Sequence, residues 1–135
     1  MKTNDVMIEV KAEVKPTEDP EKVMTSIKRM FGDLALEVRE EDDRGFLVGR
    51  SEGIDALEGF HDLLRRELIL DAARRIMFRG LEEKIITFYL NKQVAFAGHI
   101  SFSQAERESP LGPIEVKIHS DNPRKLIDWL TPKTA

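Results

Sequence analysis

The chain has 135 residues, of which 41% are apolar and 34% charged, an ordinary globular composition at a length that can bury its own core. It contains no cysteine, which excludes disulfides, thiolate zinc sites, iron–sulfur clusters and a cysteine nucleophile. The net charge of -4 is uneven, because residues 1–60 carry 9 Lys/Arg against 15 Asp/Glu and residues 61–135 carry 12 against 10. Any surface that binds a polyanion must therefore be local.

The first residues contain no apolar run of signal-peptide length, and no stretch approaches the roughly 18 apolar residues of a membrane helix, so a cytoplasmic location is expected. Val6, Ile8, Val10, Ala12 and Val14 alternate with polar residues and predict a first strand that Lys15-Pro16 ends. Asp19 caps, and Pro20 starts, a helix with Val23, Ile27, Met30 and Phe31 on one face and Gly32 as its stop. Leu34, Leu36 and Val38 predict a second strand and Phe46 to Val48 a third, around the acidic turn Glu40 to Gly45. Ile54 to Arg79 is helical in pattern, but Leu57, Phe60, Leu64 and Leu68 lie on a different face from Ile69, Ala72, Ala73 and Ile76. A break near Leu68 to Asp71, with Asp71 as cap, is preferred to one long helix, and Gly80 ends the run.

Lys84 to Leu90 predicts a strand rich in β-branched and aromatic residues. Asn91 then caps one or two helical turns over Lys92 to Ala97, although Val94 and Phe96 suit a hairpin equally well. His99 to Ser103 reads as a strand and Gln104 to Gly112 as an exposed loop. Ile114, Val116 and Ile118 alternate with Glu115, Lys117 and His119 as the last strand, and Asn122-Pro123 opens a helix that buries Leu126, Ile127, Trp129 and Leu130 before Thr131-Pro132. Ile8-Glu9-Val10-Lys11 repeats Ile114-Glu115-Val116-Lys117, which suggests that the two ends of the chain frame one sheet. Short joints and no linker predict a single α+β domain over 1–135, a mostly antiparallel sheet with helices packed on one face.

Leu90-Asn91-Lys92-Gln93, Ser109-Pro110-Leu111-Gly112-Pro113-Ile114 and Ser120-Asp121-Asn122-Pro123, followed by Ile127-Asp128-Trp129-Leu130, resemble a family of small, largely uncharacterised archaeal proteins that carry an RNA-binding label. The resemblance runs from Val6 to Thr131. It implies a fold like that of the L-five-type ribosomal protein that contacts 5S rRNA, RNA as the partner and no known catalytic activity, and it leaves room for a homodimer; no cofactor is expected. It carries no list of functional residues.

Those must come from the residues themselves. Arginine forks suit phosphates. Arg65, Arg66, Arg74, Arg75 and Arg79 are matched in number by Asp55, Glu58, Asp62, Glu67 and Asp71, so a salt-bridged helix face is the plainer reading of most of them. The stretch from Arg74 to Lys84 is less balanced, and the RNA-binding candidates are Arg74, Arg75, Arg79 and Lys84, with Arg50 and Lys92. The segment Gly49-Arg50-Ser51-Glu52-Gly53 matches a nucleophile-elbow pattern, but a tight turn is the simpler reading, with anion binding at the next helix start as its other use. Glu40 to Asp43 lacks the ligand spacing of a calcium loop, and His99 with His119 lacks a third ligand, so no metal site is expected. Phe88, Tyr89, Phe96, Phe102 and Trp129 could stack on bases if exposed, but core is the more usual place for them. The alternative to RNA binding is a protein-interaction or dimerisation module.

Overall fold

The computed structural model describes residues 5–32, 34–103 and 112–133. Two strands form the middle of its sheet, β1 (Val6–Val14) and β7 (Pro113–Ser120), paired antiparallel with Ile8 opposite Ile118 and Val10 opposite Val116. The two copies of the Ile-x-Val repeat thus face each other at the centre of the sheet instead of framing it. On one side of β1 lie β3 (Arg44–Glu52) and then β2 (Ala35–Glu41); on the other side of β7 lies β5 (Ile85–Asn91), flanked by the two-residue strands β4 (Leu81–Glu82) and β6 (Phe102–Ser103). Every pairing is antiparallel.

Alternation along the strands gives the sheet two unlike faces. Val6, Ile8, Val10, Ala12, Leu47, Ile86, Phe88, Leu90, Ile114, Val116 and Ile118 are buried on one face, where the helices pack. The other face carries Glu9, Lys11, Glu115, Lys117, Arg50 and Tyr89 and has no helix over it among the described residues. The helices are α1 (Pro20–Phe31), α2 (Glu58–Arg66), α3 (Leu70–Arg79), α4 (Lys92–Phe96) and α5 (Pro123–Leu130), with a 3-10 turn at Ile54–Leu57. The phenylalanines Phe31, Phe60, Phe88 and Phe102 run through the core at successive centroid distances of 5.2, 5.6 and 5.7 Å, tying α1 and α2 to β5 and β6.

The caps fall where the side chains predict. Asp19 accepts from the Glu21 amide, Asn91 from the Val94 amide and Asn122 from the Lys125 amide. The hairpin alternative for residues 92–97 is thereby excluded. The helical run 54–79 does break, but Asp71 is not its cap: it lies in the first turn of α3, Ile69 occupies the cap position, and Leu68 makes the bend with φ 58 and 90% exposure. His99 to Ile100 is not strand, so His99 and His119 do not become neighbours; they pair with Glu67 and Glu9 respectively. The expected loop 104–112 lies outside the described residues apart from Gly112.

The largest correction concerns residues 44–53. Arg44–Glu52 is one continuous strand, Ser51 lies opposite Ile8, and the β2–β3 turn shrinks to Asp42-Asp43, with φ 52 and 63. Ser51 is therefore not on a sharp turn. His61, His99 and His119 are engaged with Asp62, Glu67 and Glu9. After Gly53 the chain makes a four-residue 3-10 turn, too short for a helix-terminus anion site.

Candidate nucleic-acid interface

The six cations singled out in the sequence do not meet at one place. Lys92 begins α4 and is fully buried, where its ammonium donates to the Glu13 carbonyl and, at 3.0 Å, to Glu18 Oε1. Burial holds its pKa below the usual lysine value, while Glu18 opposes the shift. A phosphate cannot reach this group in the folded protein, so Lys92 leaves the set.

Arg74 leaves it for a different reason. Its guanidinium donates to the Thr131 carbonyl at 2.8 Å and pairs with Asp128 at 2.7 Å, both at the end of α5. Arg65 reaches the same helix end, donating to the carbonyls of Trp129 at 3.1 Å and Leu130 at 3.2 Å. Two cations thus satisfy terminal carbonyls and oppose the negative end of the helix dipole. These arginines lock α2 and α3 to α5.

Arg50 is exposed, but it stands on the open face of the sheet beside Met7, across the sheet from α3. Its neighbours there are largely neutralised: Lys11 pairs with Glu41, Arg39 with Glu37, and Arg44 and Lys15 share Glu13. Glu13 is held down at a pKa of about 2, chiefly by its hydrogen bonds to Arg44. Tyr89, also on this face, has its phenol pushed up by burial and by Glu115, to which it is hydrogen-bonded.

Arg75, Arg79 and Lys84 remain. Arg75 and Arg79 are one helical turn apart on the outer side of α3, exposed, and no carboxylate among the described residues forms an ion pair with either. Lys84 sits in the tight β4–β5 turn and makes a solvent-exposed pair with Asp121 at 3.4 Å, a contact of small energetic value. This turn and the start of α5 enclose a cleft of about 510 Å³ lined by Phe78, Leu81, Lys84 and Arg124 together with the carboxylates of Glu83 and Asp121.

Arg124 and Phe78 were not among the sequence candidates. The Arg124 guanidinium lies 5.6 Å from the centre of the half-buried Phe78 ring, and that of Arg74 lies 4.9 Å from it. Arg124 and Lys125 are exposed, and the first turn of α5 contains no acidic residue, a sequence signal that could have drawn attention to it. Of the aromatic candidates, Phe88 is buried, Phe102 packs on it, Trp129 stacks on His61 at 4.6 Å, Phe96 packs partly buried against the core, and Tyr89 stands on the open face of the sheet. Arg75 and Arg79 thus stand exposed on α3, and Arg124, at the start of α5, meets the same helix through Phe78. Among the described residues no helix is long and apolar enough to cross a membrane, and no group of three metal-ligating side chains occurs.

These features define a small α+β domain, an open antiparallel sheet of 7 strands with 5 helices packed on it and exposed arginines on α3 and α5 of its helical layer. The chain belongs to the family whose model is described as RNA binding, which matches residues 7–120. A UPF0201 protein of Sulfurisphaera tokodaii is 48% identical over 130 residues, covering 96% of this chain and 88% of that protein. The crystal structure of a UPF0201 protein from Methanococcus jannaschii superposes with a TM-score of 0.84 at 36% identity, covering 96% of this chain and 95% of that one. A DUF54 protein from Methanothermobacter thermautotrophicus shares the fold at 18% identity, with a TM-score of 0.67 over 96% of this chain and 99% of its own.

Proposed function

We propose that this protein is a non-catalytic RNA-binding domain that grips phosphates with exposed arginines of α3 and α5. The observation that carries the reading is that Arg75 and Arg79 on α3 and Arg124 on α5 are exposed cations without an ion-pair partner among the described residues, on two helices that meet through Phe78, in an otherwise acidic chain whose family model is described as RNA binding. Arginine forks on a rigid helix can take phosphate oxygens in pairs. The Phe78 ring with the Arg124 plane over it adds a place where an unpaired base can stack, a contact worth about 1–3 kcal/mol per base in single-strand binders. Lys84 joins by exchanging its exposed pair with Asp121 for a phosphate. Arg74 acts behind this surface, holding α3 against α5 so that Arg75 and Arg124 keep their spacing.

The test is a mobility-shift titration of a stem-loop RNA against the wild type and Arg75→Glu/Arg79→Glu. Both residues are exposed, so the variant should fold and lose most of its affinity. Equal affinity of the two proteins, or no binding by the wild type at low salt, removes these arginines from the account.

A further inference from the structure

The sheet ends at β2, whose outer side meets no strand among the described residues. At the opposite end β4 and β6 share the outer side of β5, so β2 is the long open edge of the molecule. Six of its seven residues are exposed, and Val38 at its middle is 57% exposed, one of only two large apolar side chains so placed among the described residues. The Asp42-Asp43 turn has positive φ at both residues, which is the type I′ geometry, so Glu41 and Arg44 are a hydrogen-bonded pair. By alternation Ala35, Glu37, Arg39 and Glu41 direct their peptide groups to β3, whereas Leu36, Val38 and Glu40 direct theirs outward. An edge of this kind is a template for another strand.

The charges of β2 select which strand. If a second copy pairs antiparallel about a two-fold axis perpendicular to the sheet, opposing residues must come from the same face, so the axis passes through a residue. An axis through Glu37 sets that carboxylate against itself. An axis through Arg39 sets Arg39 against itself and Glu37 against Glu41, and one through Glu40 again opposes like charges. An axis through Leu36 leaves most of the strand unpaired. Through Val38 the whole strand pairs with no like charges opposed: Val38 faces Val38, Glu37 faces Arg39 twice, Leu36 faces Glu40, and Ala35 faces Glu41.

We propose that β2 is a self-association edge, and that two copies of this chain join there into one continuous sheet with Val38 on the two-fold axis. The outward peptide groups of Leu36, Val38 and Glu40 supply about six main-chain hydrogen bonds across the axis. The exposed Val38 side chains cover each other on the helix side of the sheet. Within one chain Glu37 and Arg39 already pair with each other at 2.5 Å, so on association they exchange partners. Their contribution is to fix the register more than to add affinity.

The absence of cysteine gives a direct probe. On the axis, residues in a hydrogen-bonded antiparallel pair have Cα atoms about 5.5 Å apart, within disulfide range. Val38→Cys should form a covalent dimer on mild oxidation, and Leu68→Cys, at the other exposed apolar position, should not. In sedimentation equilibrium the wild type should dimerise, Arg39→Glu should raise the dimer dissociation constant about tenfold or more, and Glu37→Arg/Arg39→Glu should restore it. Thermal melts check that each variant is folded. A wild type that stays monomeric throughout, a dimer indifferent to Arg39→Glu, or a charge exchange that fails to restore association overturns the proposal.

Discussion

Replacing Lys92 by methionine probes the interior where sequence reading went furthest astray. The side chain packs at zero exposure with its ammonium on the Glu13 carbonyl and on Glu18 Oε1, which also accepts from the Lys15 amide at 2.9 Å. Glu18 is itself 6% exposed, and its Oε2 has no hydrogen-bond partner among the described residues. Methionine preserves the volume and the apolar stem but strands a buried carboxylate. Removing one partner of a buried pair costs about 3–5 kcal/mol, a large part of the roughly 5–15 kcal/mol that holds a domain together. At about 3–5 °C per kcal/mol for a chain of this size, the melting temperature should fall by about 10–20 °C. Adding Glu18→Gln to Lys92→Met removes the stranded charge and should recover most of the loss. Urea and thermal unfolding followed by circular dichroism measure both variants. A single variant that loses under about 1 kcal/mol, or a double variant no better than the single, would refute the claim that this pair holds the loop before α1 against α4.

Further expectations concern pH, backbone packing and helix ends. The Glu13 carboxyl is lowered from 4.5 to about 2, so the stability it contributes is complete above pH 4.5 and is lost as pH falls toward 2. The shift corresponds to at most ~3 kcal/mol, less in practice because Arg44 is half exposed, and Arg44→Gln should flatten the acid limb of a stability–pH curve. At Gly80 an added Cβ would lie 1.9 Å from the Thr87 carbonyl oxygen, a backbone atom, so Gly80→Ala should cost ~2–3 kcal/mol in chemical denaturation despite its better helix propensity. Arg74→Ala strips the end of α5 and should cost ~1–3 kcal/mol by the same measure, whereas the neighbouring Arg75→Ala should leave stability within about 0.5 kcal/mol.

The difference between those two arginines shows what a sequence can carry. On α3 successive residues are about 100° apart, so Arg74 turns toward α5 while Arg75 turns to solvent. Composition treats them alike, and only the docking of α5, fifty residues further along, separates them. Strands β1 and β7 were legible because burial on one face imposes strict alternation, and the caps were legible because Asp19, Asn91 and Asn122 act on amides two or three residues away. Residues 44–52 were misread for a physical reason. Gly45, Gly49 and Gly53 look like punctuation, but Gly49 lies within the strand, where a Cβ would press on Leu36, and only Gly53 marks the turn, with φ 94. Lys92 looked like a surface residue at a helix start because its partner Glu18 comes from the far end of the chain's first loop. The Phe78–Arg124 contact joins residues with no sequence relation at all.

The central claim is that RNA meets Arg75, Arg79 and Arg124 through its phosphates. It is tested most directly by the salt dependence of the association constant for one RNA, measured for the wild type and for Arg75→Ala/Arg79→Ala. Phosphate contacts from these three arginines and Lys84 predict a slope of log K against log salt of about -3 to -3.5 for the wild type, and loss of two contacts predicts a slope shallower by about 1.5–2. Binding with no salt dependence, or identical slopes for the two proteins, would contradict the account.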